Sequence, residues 1–335
     1  MLYLAFTHLL VLSFTRSLMD IKQISIKQTL VNHSSYRPST FVDFIWQEDT
    51  KKVLQTAIVS AKVRDASLGH ILFSWESGFG KTTLAQIVSS QMQSNIKIIT
   101  GYALSKPSEM ISLLNSLGKN DILFIDEIHR LKPSVEEVLY IAMEDYRIDM
   151  ILPDGWSLSI PLEPFTLIGA TTQMEKLSPP LKNRFIYKFH FHDYTPKEKA
   201  SIIKRYLQVH AITLQNESLL HDISEHLPNV PREIANTCVQ IKDYLTAQDT
   251  KKTSFTLDRK TRKHFWQRSK LQKWGITPIH QKYLSILEEY QPHPVGLKTL
   301  AVRLGMNEQA VEEEIEPLLF KLRKIEKTKR GRVLL

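Results

Sequence analysis

The stretch that decides the fold is Gly78-Phe79-Gly80-Lys81-Thr82-Thr83, between an apolar run at residues 70–73 and a helical pattern. Backbone N–H groups of such a loop, together with the positive end of the next helix, can surround the phosphates of a nucleotide. Lys81 can reach the β and γ oxygens, and Thr82 can ligate Mg²⁺. The residues predicted to bind the nucleotide here are Gly78, Gly80, Lys81, Thr82 and Thr83.

The phosphate loop departs from the full pattern G-x-x-x-x-G-K-[ST] at its first position. The pattern has glycine six residues before the lysine, and this chain has Trp75. Glycine there permits unusual backbone conformations, whereas tryptophan adds bulk. Two interpretations stay open: a decayed loop that no longer binds nucleotide, or a loop that binds with weakened affinity. We favour the second.

A second motif follows at residues 121–131, where D-I-L-F-I-D-E-I-H-R-L places paired acids after four apolar residues. A buried strand that ends at Asp126 can hold the water shell of Mg²⁺, and Glu127 can polarise the water that attacks a γ-phosphate. The alternative is two acids at an ordinary strand end. Together with the loop lysine, the pair predicts nucleotide hydrolysis.

Residues 41–191 alternate strand-like apolar runs with amphipathic helices, which predicts an α/β fold with a parallel sheet covered by helices. Helical patterns without a convincing strand occupy residues 195–247 and predict a small helical lid. Residues 251–273 carry nine basic side chains against Asp258 and are interpreted as a basic linker. Three helical runs and a strand-like end after residue 278 predict a winged helix. The predicted strands are 70–73, 96–100, 122–125, 165–169 and 188–191.

The composition agrees with a globular, multidomain protein. At roughly 100–200 residues per domain, 335 residues with 42% apolar and 24% charged side chains predict two or three domains and exclude collagen and disulfide scaffolds. Lys and Arg number 44 against 35 Asp and Glu, a net charge of +9 that is consistent with a nucleic-acid partner. The one cysteine, Cys238, cannot form an internal disulfide, so a reducing, cytoplasmic location is expected.

The first residues do not read as a targeting or membrane segment. The apolar run at 1–14 has no preceding basic residue and is shorter than the roughly 20 residues of a spanning helix. We interpret residues 1–35 as a leader, in which 1–18 represent an upstream start or a disordered tail. No membrane partner is expected.

Several longer strings resemble the RuvB family of ATP-driven motors for Holliday junction branch migration. Besides the acidic motif, they are A-M-E-D at 142–145, P-F-T-L-I-G-A-T-T at 164–172, S-P-P-L-K-N-R-F at 178–185, P-R-E-I-A-N at 231–236, P-V-G-L at 294–297 and R-G-R at 330–332. The resemblance covers nearly the whole chain after residue 36. It implies an AAA+ P-loop core at 36–192, a helical lid at 193–250, a basic linker at 251–277 and a winged helix at 278–335.

The resemblance also implies roles for single residues in ATP binding and hydrolysis. Thr171 or Thr172 would be the sensor of the γ-phosphate, Arg184 the arginine finger for a neighbouring subunit, and Arg232 the sensor on the lid. As alternatives, Arg184 is a surface arginine, Arg232 caps a helix and Tyr194 is a core aromatic. The family's adenine and ribose contacts correspond to Arg37, Glu144, Asp145, Tyr146 and Tyr194.

Partners follow from the same resemblance. Residues 146–163 correspond to a β-hairpin that docks RuvA, the junction-recognition protein, and the alternative is an ordinary hairpin that closes the sheet. The basic end of the chain would contact phosphates of duplex DNA and four-way junctions through Lys327, Arg330 and Arg332, or would simply be a solvated face. Self-association into a hexameric ring is expected.

Three departures qualify the resemblance: Trp75, Trp46 in place of the glycine of Ile-Gly-Gln, and Pro292-His293 in place of a glycine run. The favoured hypothesis is a divergent but working ATP-dependent branch migration motor for recombination and repair. One rival is a catalytically weakened DNA-binding subunit in which Trp75 blocks ATP. The other is an AAA+ ATPase that remodels proteins.

Overall fold

The strands predicted between residues 70 and 191 form one parallel sheet of five strands in the order β2-β3-β6-β1-β7. Its central strands are buried along their length, as expected for a sheet with helices on both faces. The strands are β1 Ile71–Ser74, β2 Ile96–Thr100, β3 Ile122–Asp126, β6 Thr166–Thr171 and β7 Tyr187–His190. The prediction of an α/β core is confirmed.

Five helices accompany this sheet in the described residues before Tyr194: α1 Glu48–Val63, α2 Lys81–Met92, α3 Pro107–Asn115, α4 Pro133–Asp145 and α5 Pro179–Arg184. An antiparallel hairpin, β4 Arg147–Ile151 with β5 Ser157–Pro161, follows α4. Apolar side chains from α3, α4 and α5 pack with those of β3 and β6 in one core, and Val135, Leu139 and Leu181 are fully buried there.

The structure, a computed structural model, describes residues 37–151 and 157–335. The described chain forms two compact units, one ending at Ile202 and including Val230–Arg232, the other made of Ile203–Asn229 and Glu233–Leu335. The predicted leader at 1–35 lies outside the described residues. No described helix has the length and apolar character needed to cross a membrane.

The predicted lid helices are α6 Pro196–Val209, α7 Ser218–His226 and α8 Pro231–Gln248. The expectation that this region lacks strands was wrong. A short strand, β8 Ile212–Leu214, pairs in parallel with β9 Phe255–Leu257. Each strand has three residues, too few for a visible alternating pattern.

The stretch 251–277, predicted as a basic linker, contains β9 and an eleven-residue helix, α9 Arg259–Ser269. Asp258 caps the helix by accepting a hydrogen bond from the Thr261 N–H at 2.7 Å. Phe265 and Trp266 are buried on its inner face. The stretch predicted as a basic linker therefore contains a packed helix, which carries five of the nine basic residues.

The C-terminal residues form the predicted winged helix. Its elements are α10 Pro278–Tyr290, α11 Leu297–Leu304, α12 Glu308–Ala310, a π-helical turn Val311–Ile315, α13 Glu316–Lys321, β10 Ile325–Thr328 and β11 Gly331–Leu334. The two strands pair antiparallel around a two-residue turn at Lys329 and Arg330. Tyr283, Leu300 and Leu319 are fully buried between the helices.

Candidate active site

The phosphate loop joins the carboxyl end of β1 to the first turn of α2. Gly78 and Gly80 have φ angles of 85° and 89°, which side chains rarely allow. A Cβ at Gly78 would lie 2.9 Å from Val230, so there is no room for one. The loop therefore turns sharply and aims main-chain N–H groups of the twelve-residue helix α2 at the space above the sheet.

Lys81 is the buried cation of this loop, with 5% of its surface exposed. Its Nζ donates hydrogen bonds to the carbonyl oxygens of Trp75 at 2.6 Å and Glu76 at 2.8 Å. Burial lowers the pKa of Lys81, and the charges of Glu127 and Asp126 oppose that shift. This buried ammonium donates to neutral carbonyl oxygens, and a negatively charged acceptor would be a stronger partner. The loop fits a phosphate group.

Trp75 does not distort the loop. Its φ is outside the left-handed region, so the main chain there does not need glycine. The indole makes edge contacts with His190 at 4.9 Å and Phe79 at 6.1 Å between ring centroids. The side chain thus packs beside the end of β7, and the Trp75 carbonyl still faces Lys81.

Asp126 ends β3, and Glu127 follows in a left-handed conformation with φ 48°. The Glu127 N–H donates to Asp126 Oδ1 at 3.1 Å. Burial and the adjacent charge of Glu127 raise the pKa of Asp126, while Lys81 lowers it. Two neighbouring, partly buried carboxylates favour the binding of a cation. Because no cluster of three His, Cys, Asp or Glu side chains occurs in the described parts of the chain, Mg²⁺ would depend on a phosphate and water for its other ligands.

The end of β6 meets Glu127 through two threonines. Thr172 donates to Glu127 Oε2 from its hydroxyl at 2.9 Å and from its main-chain N–H at 3.2 Å. The Thr171 hydroxyl lies 2.9 Å from Nδ1 of His129, and that nitrogen lies 3.1 Å from Glu127 Oε2. The two candidate sensor threonines are therefore both linked to the acidic motif.

Arg232, at the start of α8, lies against the phosphate loop. Its Nη1 donates to the Ser77 hydroxyl at 3.4 Å, and its Cβ would contact a side chain at Gly78. The guanidinium is exposed and close enough to Lys81 and Asp126 to influence the pKa of each. The structure thus brings together Lys81, Asp126, Glu127, Thr171 and Arg232, which come from distant parts of the sequence.

Comparison with known proteins agrees with this arrangement. A family model described as the Holliday junction DNA helicase RuvB P-loop domain matches residues 36–191. A second, the RuvB C-terminal winged helix domain, matches residues 273–334. The Holliday junction branch migration complex subunit RuvB of Helicobacter pylori HPAG1 is 39% identical over 89% of this chain and 88% of that protein. This chain belongs to the RuvB family.

Other relatives point the same way. RuvB of Campylobacter lari RM2100 is 37% identical over 94% of this chain and 93% of that protein. The solved Thermotoga maritima RuvB Holliday junction branch migration motor has a TM-score of 0.76 and 34% identity, and the match covers 90% of this chain and 96% of that one. The predicted resemblance to the RuvB family of ATP-dependent helicases is confirmed.

Glu144, Asp145 and Tyr146 do not lie at this RuvB phosphate loop. His70 Nε2 donates to the carbonyl oxygen of Met143 at 3.0 Å, because His70 Nδ1 accepts from the Leu167 N–H. The Tyr146 ring lies 6.4 Å from that of His70. His70 precedes β1, whereas the phosphate loop follows it, so a strand of roughly 13 Å separates them. The structure places these three residues at the amino edge of the sheet, and their adenine and ribose contacts stay a prediction.

Arg184 lies at that same amino edge, because Ile186, two residues on, donates its main-chain N–H to His70 O at 3.0 Å. The guanidinium forms an ion pair with Glu144. Asp145 instead pairs with Arg147 at 3.3 Å. An arginine at this edge does not face the phosphate loop of its own chain.

Trp46 replaces a family glycine and keeps a glycine-like backbone, with φ 136°. Its indole is 1% exposed and stacks on Tyr194 at 4.3 Å between centroids. Tyr194 also stacks on Phe79 at 5.7 Å. Trp46 and Phe79 lie 5.5 Å apart, so the three rings form one aromatic cluster in which Tyr194 is 7% exposed. This burial favours the core-aromatic alternative, and a base contact by Tyr194 stays a prediction. Arg37 is exposed, and its nucleotide contact stays a prediction.

The wing presents part of the predicted DNA surface. Lys327, Lys329 and Arg330 are exposed on β10 and the following turn. Lys327 pairs with Glu312 at 3.2 Å, an exposed contact that is worth little and is easily exchanged for a phosphate. A phosphate contact is therefore compatible with both Lys327 and Arg330.

Arg332 has a different environment. Its side chain is 7% exposed, and it donates from Nε to Glu316 Oε1 at 2.7 Å and from Nη2 to Glu312 Oε1 at 2.7 Å. Tyr283 donates to the same Glu316 oxygen at 2.9 Å. The contact of Arg332 with DNA stays a prediction, and it would require a phosphate to displace two carboxylates from a buried guanidinium.

Sequence reasoning missed two participants. His129 directly follows the predicted strand, and its spacing of two from Glu127 within a tight turn is the local signal that could indicate it. Glu316 lies on a helix, and nothing local to it in the sequence indicates a buried partner.

Proposed function

We propose that this chain is the ATP-hydrolysing motor subunit of a branch migration complex and works as a ring on duplex DNA. The observation that carries the proposal is the convergence of Lys81, Asp126 and Glu127 at the carboxyl edge of the sheet. Lys81 can bind phosphates as a cation, and the two neighbouring acids have different surroundings, as nucleotide hydrolysis requires. Family membership supports the coupling of hydrolysis to junction DNA.

In this proposal the loop binds the triphosphate by main-chain N–H groups, and Lys81 exchanges its two carbonyl partners for phosphate oxygens. Thr82 and Asp126 would hold Mg²⁺, which neutralises charge on the phosphates when bound. Glu127 orients and polarises the attacking water. Thr171 and Arg232 contact the phosphates from β6 and from the start of α8.

Arg184 acts on a neighbouring subunit. It lies at the amino edge of the sheet, and its buried Nε finds no hydrogen-bond acceptor among the described residues. A guanidinium supplied from the neighbour stabilises charge on the transferring phosphoryl group and makes turnover depend on assembly. This supports a hexameric ring with its active sites between subunits.

DNA and the partner protein bind on separate elements. The exposed side chains of Lys327 and Arg330 support sequence-independent contacts with phosphates, as a motor that passes any sequence requires. The hairpin β4–β5 is proposed to dock a RuvA-type protein. It keeps Ile148 in the core, while Leu158 is 41% exposed on the opposite strand. A cytoplasmic location fits this role.

The test is branch migration of a fluorescently labelled four-way junction by the full chain with a RuvA-type protein, ATP and Mg²⁺. We expect migration by the wild type, none by Glu127→Gln, and normal migration by Glu137→Gln, an exposed glutamate on α4. Junction binding without migration in the wild type would favour the rival, a DNA-binding subunit without catalysis. No binding to DNA would favour protein remodelling.

A further inference from the structure

The side chain of His129 lies between Glu127 and Thr171, two residues of the proposed ATPase site in which His129 itself has no assigned role. Its side chain is 5% exposed, and its Nδ1 lies 3.1 Å from Glu127 Oε2 and 2.9 Å from Thr171 Oγ1. It is held on the short helical turn Ile128–Arg130 that directly follows Glu127. One buried nitrogen thus faces both the candidate base and the candidate sensor.

The contact with Glu127 favours one of the two neutral tautomers of the ring. A carboxylate only accepts hydrogen bonds, so the contact with Glu127 is favourable only if Nδ1 bears hydrogen. With the proton on Nε2, two lone pairs would face each other at 3.1 Å. Burial also lowers the pKa of His129, which keeps the ring neutral. The ring is therefore the Nδ1–H tautomer.

This tautomer determines how the Thr171 hydroxyl is used. Thr171 Oγ1 accepts from the Gln173 N–H at 3.0 Å and from His129 Nδ1–H at 2.9 Å. Both lone pairs are then occupied, and the hydroxyl proton is left to be donated. A phosphate oxygen is a suitable acceptor. In the other tautomer, the Thr171 hydroxyl would donate its proton to Nδ1 of His129 instead of to a phosphate.

Glu127 is oriented by the same contact. Its Oε2 accepts from the Thr172 hydroxyl and N–H and lies 3.1 Å from His129 Nδ1, which leaves Oε1 to accept from water. We propose that His129 is a positioning residue for ATP hydrolysis. Its Nδ1–H donates to Thr171 Oγ1, which keeps the Thr171 hydroxyl as a donor to the γ-phosphate, and its positive end lies 3.1 Å from Glu127 Oε2, which holds that carboxylate in place by electrostatic attraction. The inference rests on the proposed function and adds a residue to its machinery.

The first test compares His129→Phe, which keeps a ring without nitrogen, with His129→Asn, whose amide N–H can replace Nδ1–H. With the full chain and duplex DNA, we expect His129→Phe to lower kcat about 10- to 100-fold. KM for ATP and Tm should stay close to wild type, and His129→Asn should recover most of kcat. His264→Phe, at an exposed position, is the matched control.

Wild-type kcat in His129→Phe, or equal loss of kcat in both variants, would overturn the inference and leave the proposed function standing. A wild type without turnover would instead overturn the proposed function. The tautomer is tested without turnover, by ¹⁵N–¹H correlation of the histidine rings, with the His129 signal assigned by its absence in His129→Asn. We expect the Nδ1–H pattern, and an Nε2–H pattern contradicts the inference.

Discussion

The Nζ atom of Lys81 donates a hydrogen bond to the carbonyl oxygen of Trp75 at 2.6 Å. The residue that departs from the family's phosphate loop therefore contacts the lysine through its main chain, which is common to every amino acid. The indole itself lies against His190 and Phe79. A tryptophan at this position is thus compatible with a loop that closes on phosphates.

Replacing Trp75 with glycine tests whether the side chain blocks the site. Because the indole packs away from Lys81, we expect Trp75→Gly to leave kcat within a few-fold of wild type. Loss of a half-buried ring should lower the free energy of unfolding by about 1–3 kcal/mol. Steady-state ATP hydrolysis and urea unfolding measure the two effects. A large gain in turnover would show that Trp75 obstructs catalysis.

The positive φ angle of Trp46 predicts that its glycine variant is more stable than its alanine variant. Alanine removes the ring but keeps a side chain at φ 136°, whereas glycine also relieves the strain. Both variants lose packing worth about 3–5 kcal/mol, and we expect Trp46→Gly to be about 1 kcal/mol more stable than Trp46→Ala. Phe191, a buried aromatic without positive φ, is the control and should show the reverse order. The same order at both positions would contradict a strained Trp46.

Two arginines of the wing should separate stability from DNA binding. Arg332→Ala leaves Glu316 buried without its cation, so we expect a loss of about 3–5 kcal/mol in the free energy of unfolding. Arg330→Ala should leave Tm unchanged, weaken binding to duplex DNA and reduce the slope of log Kd against log salt by about one. Thermal unfolding measures Tm, and fluorescence anisotropy at several salt concentrations measures DNA binding and its salt dependence. Weaker DNA binding by Arg332→Ala with unchanged Tm would show instead that Arg332 contacts DNA.

The sequence predicted the strands of the sheet well, because buried parallel strands such as Ile122–Asp126 are continuous apolar runs between turns. It predicted Lys81 and Asp126 because phosphate chemistry needs those residue types at those positions. It did not predict the ion pair of Arg332, since charge alone does not reveal that Glu316, sixteen residues away in the chain, is its buried partner. It also did not predict where Tyr146 lies, because the motif does not indicate which edge of the sheet the residue occupies.

His70 predicts how stability depends on pH. The ring accepts from the Leu167 N–H at 2.9 Å through Nδ1, so Nε2 carries the proton and donates to Met143 O at 3.0 Å. Burial lowers the pKa of His70 below 6.5. Its contribution is complete above pH 6.5 and is lost as pH falls toward the folded-state pKa, because only the unfolded chain takes up the proton.

We therefore expect the stability advantage of wild type over His70→Gln to shrink by up to about 1.4 kcal/mol per pH unit in that acidic window. Urea unfolding of both proteins between about pH 8 and about pH 5 measures this difference. An advantage that stays constant with pH would mean that His70 titrates normally in the folded protein.

We expect this divergent loop still to drive ATP hydrolysis that is coupled to DNA. The most direct measurement is ATP turnover by the full chain with and without duplex DNA, beside Lys81→Ala and the exposed control Lys62→Ala. We expect turnover that DNA stimulates in wild type and Lys62→Ala, and none in Lys81→Ala. Absence of turnover in the wild type, or turnover that survives in Lys81→Ala, would contradict the account.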